Sequence, residues 1–190
     1  MNTLSAETAR ARLLDLIGSL AVVRGKVTLS SGREADFYID LRRITLHHEA
    51  APLVGRVMLD LFEEKGHLPG FDAVGGLTLG ADPVATSIMH AAAATGRGPI
   101  DAFVVRKASK AHGLQRRIEG PDVTGRPVIA VEDTSTTGGS VLTATEALRE
   151  AGADIRAVAV IMHRSEESRA AVEQAGFEYL YAYELSELGL

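Results

Sequence analysis

Cysteine is absent from this chain of 190 residues, which excludes disulfides, thiolate metal sites and a cysteine nucleophile. A disulfide-free chain suits a reducing compartment. Long apolar runs are also missing. The most apolar N-terminal stretch, Leu13–Val23, is interrupted by Asp15 and Gly18, and no small-residue cleavage pattern follows it. That argues against a secretory signal. No segment approaches the roughly 20 apolar residues that span a bilayer, so no membrane partner is expected, and a cytoplasmic location is. Nor is there an excess of positive charge: 20 Lys and Arg face 25 Asp and Glu, for a formal net charge of −5. Such a chain repels nucleic acid on average, and any polyanion it binds must meet a local basic cluster. Two familiar phosphate loops are lacking as well. Gly75–Gly80 is followed by Ala81-Asp82 without lysine, and no G-x-G-x-x-G occurs. Nucleoside triphosphatases and dinucleotide dehydrogenases both lose ground.

What is present reads as one globular domain, with apolar residues at 46%. After a cap at Ser5, apolar residues at Leu13, Leu14, Ile17, Leu20 and Ala21 follow helical spacing. Val27–Leu29 and Phe37–Leu41 read as short strands joined by a turn at Ser31-Gly32. A second helical stripe runs through Leu53, Val54, Val57, Met58, Leu61 and Phe62 and stops at Gly66. Beyond it, apolar runs at Ala73–Val74, Ala102–Val105, Val128–Val131, Ile155–Ile161 and Tyr179–Tyr183 alternate with helical stretches at Pro83–Ala94, Val141–Ala151 and Glu166–Ala175. Such alternation predicts an α/β fold, a central parallel sheet flanked by helices on both faces. Ligands then bind beyond the carboxyl ends of the strands, at a switch in strand order. The segment before about residue 70 does not follow the alternation and is expected to form a small cap.

The strand Val128–Val131 runs directly into Glu132-Asp133, then the hydroxylated Thr134, Ser135, Thr136 and Thr137, then Gly138-Gly139 and Ser140 at the start of a helix. Free amides and the helix dipole at such a junction favour an anion. Hydroxyls add donors, and glycine lets a phosphate approach the main chain. Two carboxylates beside a phosphate need a separate reason, and vicinal ribose hydroxyls supply one. The plainer alternative is a strand-to-helix turn with capping residues.

A second constellation is basic. Arg106, Lys107, Lys110, Arg116 and Arg117 place five of the 20 cations within Arg106–Arg117, about four times the average density. Most charge runs are solvated loops. In an acidic chain, cations gathered after a strand end are suited to a pyrophosphate.

VIAVEDTSTTGGS, at Val128–Ser140, resembles the phosphoribosyl pyrophosphate (PRPP) signature of type I phosphoribosyltransferases. RKASKAHG, at Arg106–Gly113, resembles the catalytic loop of orotate phosphoribosyltransferases. LSSGREADFYIDLR (Leu29–Arg42) and GGLTLGADPVAT (Gly75–Thr86) are similar to that family's substrate-side and pyrophosphate-side segments. The resemblance runs from about Val27 to Arg164, and the chain is identified by it as a member of that family. It implies the type I phosphoribosyltransferase fold, with about residues 1–45 forming a small N-terminal hood on an α/β core of about residues 46–190. It also implies transfer of the phosphoribosyl group from PRPP to orotate, a step of pyrimidine synthesis, with Mg²⁺ held mainly by PRPP and water rather than by protein ligands.

The resemblance further assigns residues. Arg106, Lys107, Lys110 and His112 would bind PRPP, the last three acting in catalysis by neutralising the departing pyrophosphate. Glu132 to Ser140 would hold the phosphoribosyl group, Thr136 would also touch orotate, and Arg164 would take the orotate carboxylate. Without the family match, Arg164 has the plainer alternative of an exposed strand-end arginine, and Phe37 and Tyr38 either line the base or pack in the core. A homodimer is implied, with loop 106–117 reaching the neighbouring site. The chain departs from many relatives in having Ser30 and Thr78-Leu79-Gly80 where lysines are usual. Rival readings are a phosphoribosyltransferase for another base and a non-catalytic PRPP-binding regulator. Little is expected of His47, His48, His67, His90 and His163 beyond capping or packing.

Overall fold

The computed structural model describes residues 5–28, 34–107 and 117–190. Helix α1 (Ala6–Leu16) begins where Ser5 Oγ accepts the Thr8 N–H at 3.1 Å, and it buries Ala9, Leu13 and Leu16. A π-helical turn, Ile17–Ala21, extends it. Strands β1 (Val22–Thr28) and β2 (Glu34–Ile39) then pair antiparallel in a sheet of their own. The first strand starts well before the expected Val27, with Val22 opposite Ile39 and Arg24 opposite Phe37. The exposed Arg24-Gly25-Lys26 breaks the apolar pattern that would have revealed it. The second ends early because Leu41, expected to be its last residue, turns inward and is buried ahead of the short helix α2 (Arg42–Thr45). The expected turn at Ser31-Gly32 lies outside the described residues.

Helix α3 (Ala50–Glu64) carries the second apolar stripe and ends at Lys65, one residue before the expected stop. From there the alternation holds: β3 (Ala73–Leu77), α4 (Ala81–Thr95), β4 (Asp101–Val105), β5 (Ile118–Glu119), β6 (Pro127–Ser135), α5 (Gly139–Glu150), β7 (Asp154–His163), α6 (Glu166–Gln174) and β8 (Tyr179–Glu184). The six strands form one sheet in the order β5-β4-β3-β6-β7-β8. All neighbours are parallel except β5, a two-residue edge strand antiparallel to β4 that no sequence pattern announced. Among the described residues no helix is long and apolar enough to cross a membrane.

Successive strand side chains point to opposite faces, and both faces of this sheet are covered. Ile129, Val131, Ala159 and Ile161 join the core under α1, α3 and α4. Val128, Ala130, Val158 and Val160 join the core under α5 and α6. That double burial explains why β6 and β7 read as continuous apolar runs.

Helices α3 and α4 meet closely at Gly55, where a Cβ would collide with the Ser87 carbonyl oxygen and crowd Ala91. Gly55→Ala should therefore destabilise by about 1–3 kcal/mol through overpacking, despite a helix-propensity gain of up to about 1 kcal/mol. Urea denaturation checks this, and an unchanged or raised midpoint would show that the two helices do not touch there.

Candidate active site

Strand order reverses at β3: the chain proceeds to β4 on one side and later returns to β6 on the other. The carboxyl ends of β3 and β6 therefore diverge into crossovers on opposite faces, opening a crevice between them. A cavity of about 310 Å³ occupies that crevice. Its walls come from the turn Thr78–Gly80 after β3, from Glu132, Asp133 and Thr134 at the end of β6, from Ser140 on α5, from Arg164 after β7 and from Lys107 after β4.

The acid pair dominates its electrostatics. Glu132 is only 5% exposed. Burial first, then the neighbouring Asp133 charge, push its carboxyl from the ordinary 4.5 up to about 8, and Asp82 adds to the push. Burial raises Asp133 as well, opposed by the Thr134 N–H, which donates to Asp133 Oδ1 at 2.7 Å. The Asp133 N–H donates to Glu132 Oε1 at 3.2 Å. Gly80 lies against both carboxylates, and a Cβ there would collide with Glu132. The Thr78 hydroxyl donates to Asp82 Oδ2 at 2.7 Å, while Asp82 Oδ1 is buried with no hydrogen-bond partner among the described residues.

Beyond the acid pair β6 continues through Thr134 and Ser135, and the chain then turns at Thr136–Gly138 into α5. Thr134 Oγ1 donates to the Met162 carbonyl, tying the end of β6 to β7. Ser135 is buried and its Oγ accepts the Gly138 N–H at 3.1 Å. Gly138 has φ = 81°, a left-handed conformation that favours glycine and turns the chain into α5. Thr136, Thr137, Gly139 and Ser140 are exposed. The first-turn amides of α5 lack intrahelical acceptors by the nature of a helix start, so N–H groups, hydroxyls and a positive dipole end meet at this point, an arrangement suited to an anion.

The cations are placed unequally. Arg164 lines the cavity, and its guanidinium makes no hydrogen bond or ion pair with a described residue. Lys107 lines it too and is exposed. Arg106 does not border the cavity: its Nη1 lies 3.5 Å from Glu119 Oε1, and its N–H donates to the Arg117 carbonyl. Lys110 and His112 lie outside the described residues.

Tyr38 borders the cavity, whereas Phe37 packs against the core, so the pair divides between the two roles open to it. Asp40 and Arg42, which lie in the Leu29–Arg42 motif without an assigned role, border the cavity as well. Their signal was adjacency to Tyr38 in the same segment. No described histidine borders this cavity. His47 Nδ1 accepts from the amides of Glu49 and Ala50 at the start of α3, His67 pairs with Glu178, and the buried His163 bonds Glu166.

No family model matches the chain. Individual relatives do. The orotate phosphoribosyltransferase of Streptomyces coelicolor is 64% identical over 182 residues, covering 95% of this chain and 97% of that protein. The orotate phosphoribosyltransferase of Mycobacterium tuberculosis in complex with PRPP superposes with a TM-score of 0.81 at 49% identity, over 96% of this chain and 99% of that one. The orotate phosphoribosyltransferase of Aeropyrum pernix gives a TM-score of 0.75 at 29% identity, over 94% of each chain.

The raised Glu132 carboxyl carries a signed consequence. Between the ordinary 4.5 and about 8 the native state binds more protons than the unfolded chain, so stability falls as pH rises through that window. Glu132→Gln removes that loss. In the ligand-free protein it should raise the Tm at pH 8.5 by at least about 4 °C, with a much smaller change at pH 5. Calorimetry at the two pH values is the check, and an identical shift at both would show that Glu132 is not held protonated.

Proposed function

The chain belongs to the orotate phosphoribosyltransferase family, and from that premise we propose that it transfers the phosphoribosyl group of PRPP to orotate, releasing pyrophosphate and orotidine 5′-monophosphate. The convergence that carries this reading is at the β3–β6 crevice, where paired carboxylates, an anion-binding turn and an unpartnered arginine border one cavity. The turn Thr134–Ser140 takes the 5-phosphate, and Glu132 with Asp133 accepts hydrogen bonds from the ribose hydroxyls. Arg164 has a guanidinium without a described partner for the orotate carboxylate, and Thr136, which follows the Ser135 that pairs with His163 across β6 and β7, contacts the base.

Breaking the anomeric C–O bond builds positive charge on the ribose and negative charge on the leaving pyrophosphate. The attacking ring nitrogen belongs to a substrate that arrives as an anion, so no strong protein base is required. The two carboxylates favour the cationic ribose. Lys107, together with Lys110 and His112, neutralises the leaving group, and Arg106 is the next cation in the chain, turned to Glu119 in the ligand-free protein. Among the described residues no cluster of three or more His, Asp or Glu side chains could hold a metal alone. The cavity's donors are oxygens, the kind Mg²⁺ accepts. The mutual crowding of Glu132 and Asp133 is also the kind that a divalent cation arriving on PRPP relieves. Bound there, Mg²⁺ supplies charge neutralisation of the diphosphate.

The chain works as a homodimer in this reading, with loop 106–117 serving the neighbouring site. An apolar groove of about 880 Å³ beside the cavity supports it, with Leu46 and Leu79 in its wall exposed by 74% and 71%. The place of the reaction is pyrimidine nucleotide synthesis in the cytoplasm, which a cysteine-free chain suits.

The decisive measurement follows the loss of orotate absorbance with PRPP and Mg²⁺, comparing the wild type with Lys110→Ala. The variant should lose on the order of 10²-fold or more in turnover, as for removal of a strong transition-state donor. Turnover with another base but none with orotate would sink the substrate assignment. Equal turnover by variant and wild type would sink the role of the loop.

A further inference from the structure

The wall of the cavity after β3 is short of charge. The turn Thr78–Gly80 brings one hydroxyl, already committed to Asp82, and one leucine, Leu79, that faces outward. Behind this turn stand the carboxylates of Glu132 and Asp133. A diphosphate entering here would meet two acids and no cation from the turn itself. Arg164 stands at the end of β7 and Lys107 at the end of β4, on strands to either side of the β3–β6 crevice.

The cation bordering this stretch comes from the other layer. Arg42 opens α2, directly beyond the two-stranded sheet, and borders the cavity alongside Leu79. Its Nε donates to Asp40 Oδ1 at 2.8 Å, and its backbone N–H reaches the same oxygen at 3.2 Å. Asp40 thus grips Arg42 by the Nε side. Neither Nη makes a hydrogen bond with a described residue, and the side chain is 51% exposed. The tethered geometry leaves the two-nitrogen edge of the guanidinium presented, which is the fork that matches phosphate oxygens.

Its charge reaches the acid pair. Burial pushes Asp133 up, and Arg42 partly offsets that push. The grip acts in the other direction on Asp40: the hydrogen bond from Arg42 holds its carboxyl below the ordinary range. Asp40 therefore stays ionised and the pair stays closed at neutral pH.

We propose that Arg42 binds the diphosphate of PRPP and the pyrophosphate product through its free guanidinium edge, supplying the charge that the turn Thr78–Gly80 lacks, with Asp40 as its positioning residue. This rests on the reading of the cavity as a PRPP site. The assignment makes the N-terminal layer part of the phosphate machinery as well as a cover for the base. It also divides the cations by task. Arg164 serves the carboxylate of the base, Lys107 the β4 side of the leaving group, and Arg42 the β3 side.

Arg42 also borders the apolar groove beside Leu46 and Leu79, so its effect must be separated from assembly. The test uses the wild type, Arg42→Ala, Arg42→Lys and Asp40→Asn in the same buffer. Steady-state kinetics give the KM for PRPP and for orotate, calorimetric titration with inorganic pyrophosphate and Mg²⁺ gives product affinity, and sedimentation gives the assembly state. Arg42→Ala should raise the KM for PRPP and weaken pyrophosphate binding by on the order of 10-fold or more, the scale of a hydrogen bond to a charged group. The KM for orotate should stay within about twofold. Arg42→Lys should recover part of the loss, because it keeps the charge but not the fork. Asp40→Asn should move the same two constants in the same direction by less.

Unchanged pyrophosphate affinity in Arg42→Ala would overturn the proposal. So would equal rises in both KM values, a selective loss of orotate, or a defect that vanishes at protein concentrations restoring wild-type assembly. A wild type that does not turn over orotate with PRPP would instead overturn the PRPP reading beneath it.

Discussion

Two carboxylates held side by side at the buried end of β6 are the constraint around which the crevice is organised. Water stabilises a carboxylate well, and a sheet edge lined by apolar strands does not. Glu132 meets that cost by holding its proton up to about 8, and Asp133 by turning back to the Thr134 amide. An apolar fold gains nothing from such a pair. Its persistence at the mouth of a cavity is a functional signal with a stated physical rationale. The neighbouring features answer to it. Gly80 is the residue type that lets the turn after β3 pass against both carboxylates, and Lys107, Arg164 and Arg42 stand around them.

The sheet makes this possible through its connectivity. Had the chain continued from β4 in one direction, β3 and β6 would not be neighbours, and their carboxyl ends would not face a common gap. The reversal places α4 and α5 on opposite faces, so the two crossovers leave in opposite directions and the crevice opens between them. Both functional turns are then fixed by the most buried part of the molecule. The β3 positions are all buried, and β7, which supports Arg164, is buried over its last seven residues. Rigid strands ending in polar turns are a precise way to hold charges that would otherwise repel or drift.

Legibility in the sequence follows the same physics. Strands covered on both faces announce themselves as apolar runs, so β3, β4, β6, β7 and β8 were each visible, along with the three helices between them. The acid–hydroxyl–glycine order after β6 was visible because its chemistry is local to one turn. The two-stranded layer was less so. The exposed Arg24-Gly25-Lys26 interrupts β1, and β5 is two residues held by its partner rather than by its own propensity. Asp40 and Arg42 escaped notice for a different reason. In sequence they read as a strand end followed by solvent-facing charge, and their meaning depends on a neighbouring layer folding down over the sheet. The signal that basic residues give is likewise ambiguous. Arg106 and Lys107 are adjacent, yet only Lys107 borders the cavity while Arg106 turns to Glu119.

The charge count around the cavity supports the role proposed for the basic segment after β4. Its described border carries three cationic residues, Arg42, Lys107 and Arg164, and three acids, Asp40, Glu132 and Asp133. One cation is already paired with Asp40, and one acid is held protonated, so the cavity is close to neutral. A ligand bearing a 5-phosphate and a diphosphate brings several negative charges into it, with the base adding a carboxylate. A near-neutral site does not by itself favour such a load. Further positive charge has to arrive with the ligand, as proposed for Mg²⁺, or from residues next in the chain. Lys110, His112 and Arg116 directly follow the cavity-lining Lys107. Delivering that charge only with the substrate has a physical merit. A permanently cationic cavity would bind pyrophosphate as readily after the reaction as before it, whereas a neutral one releases product when the added charge departs.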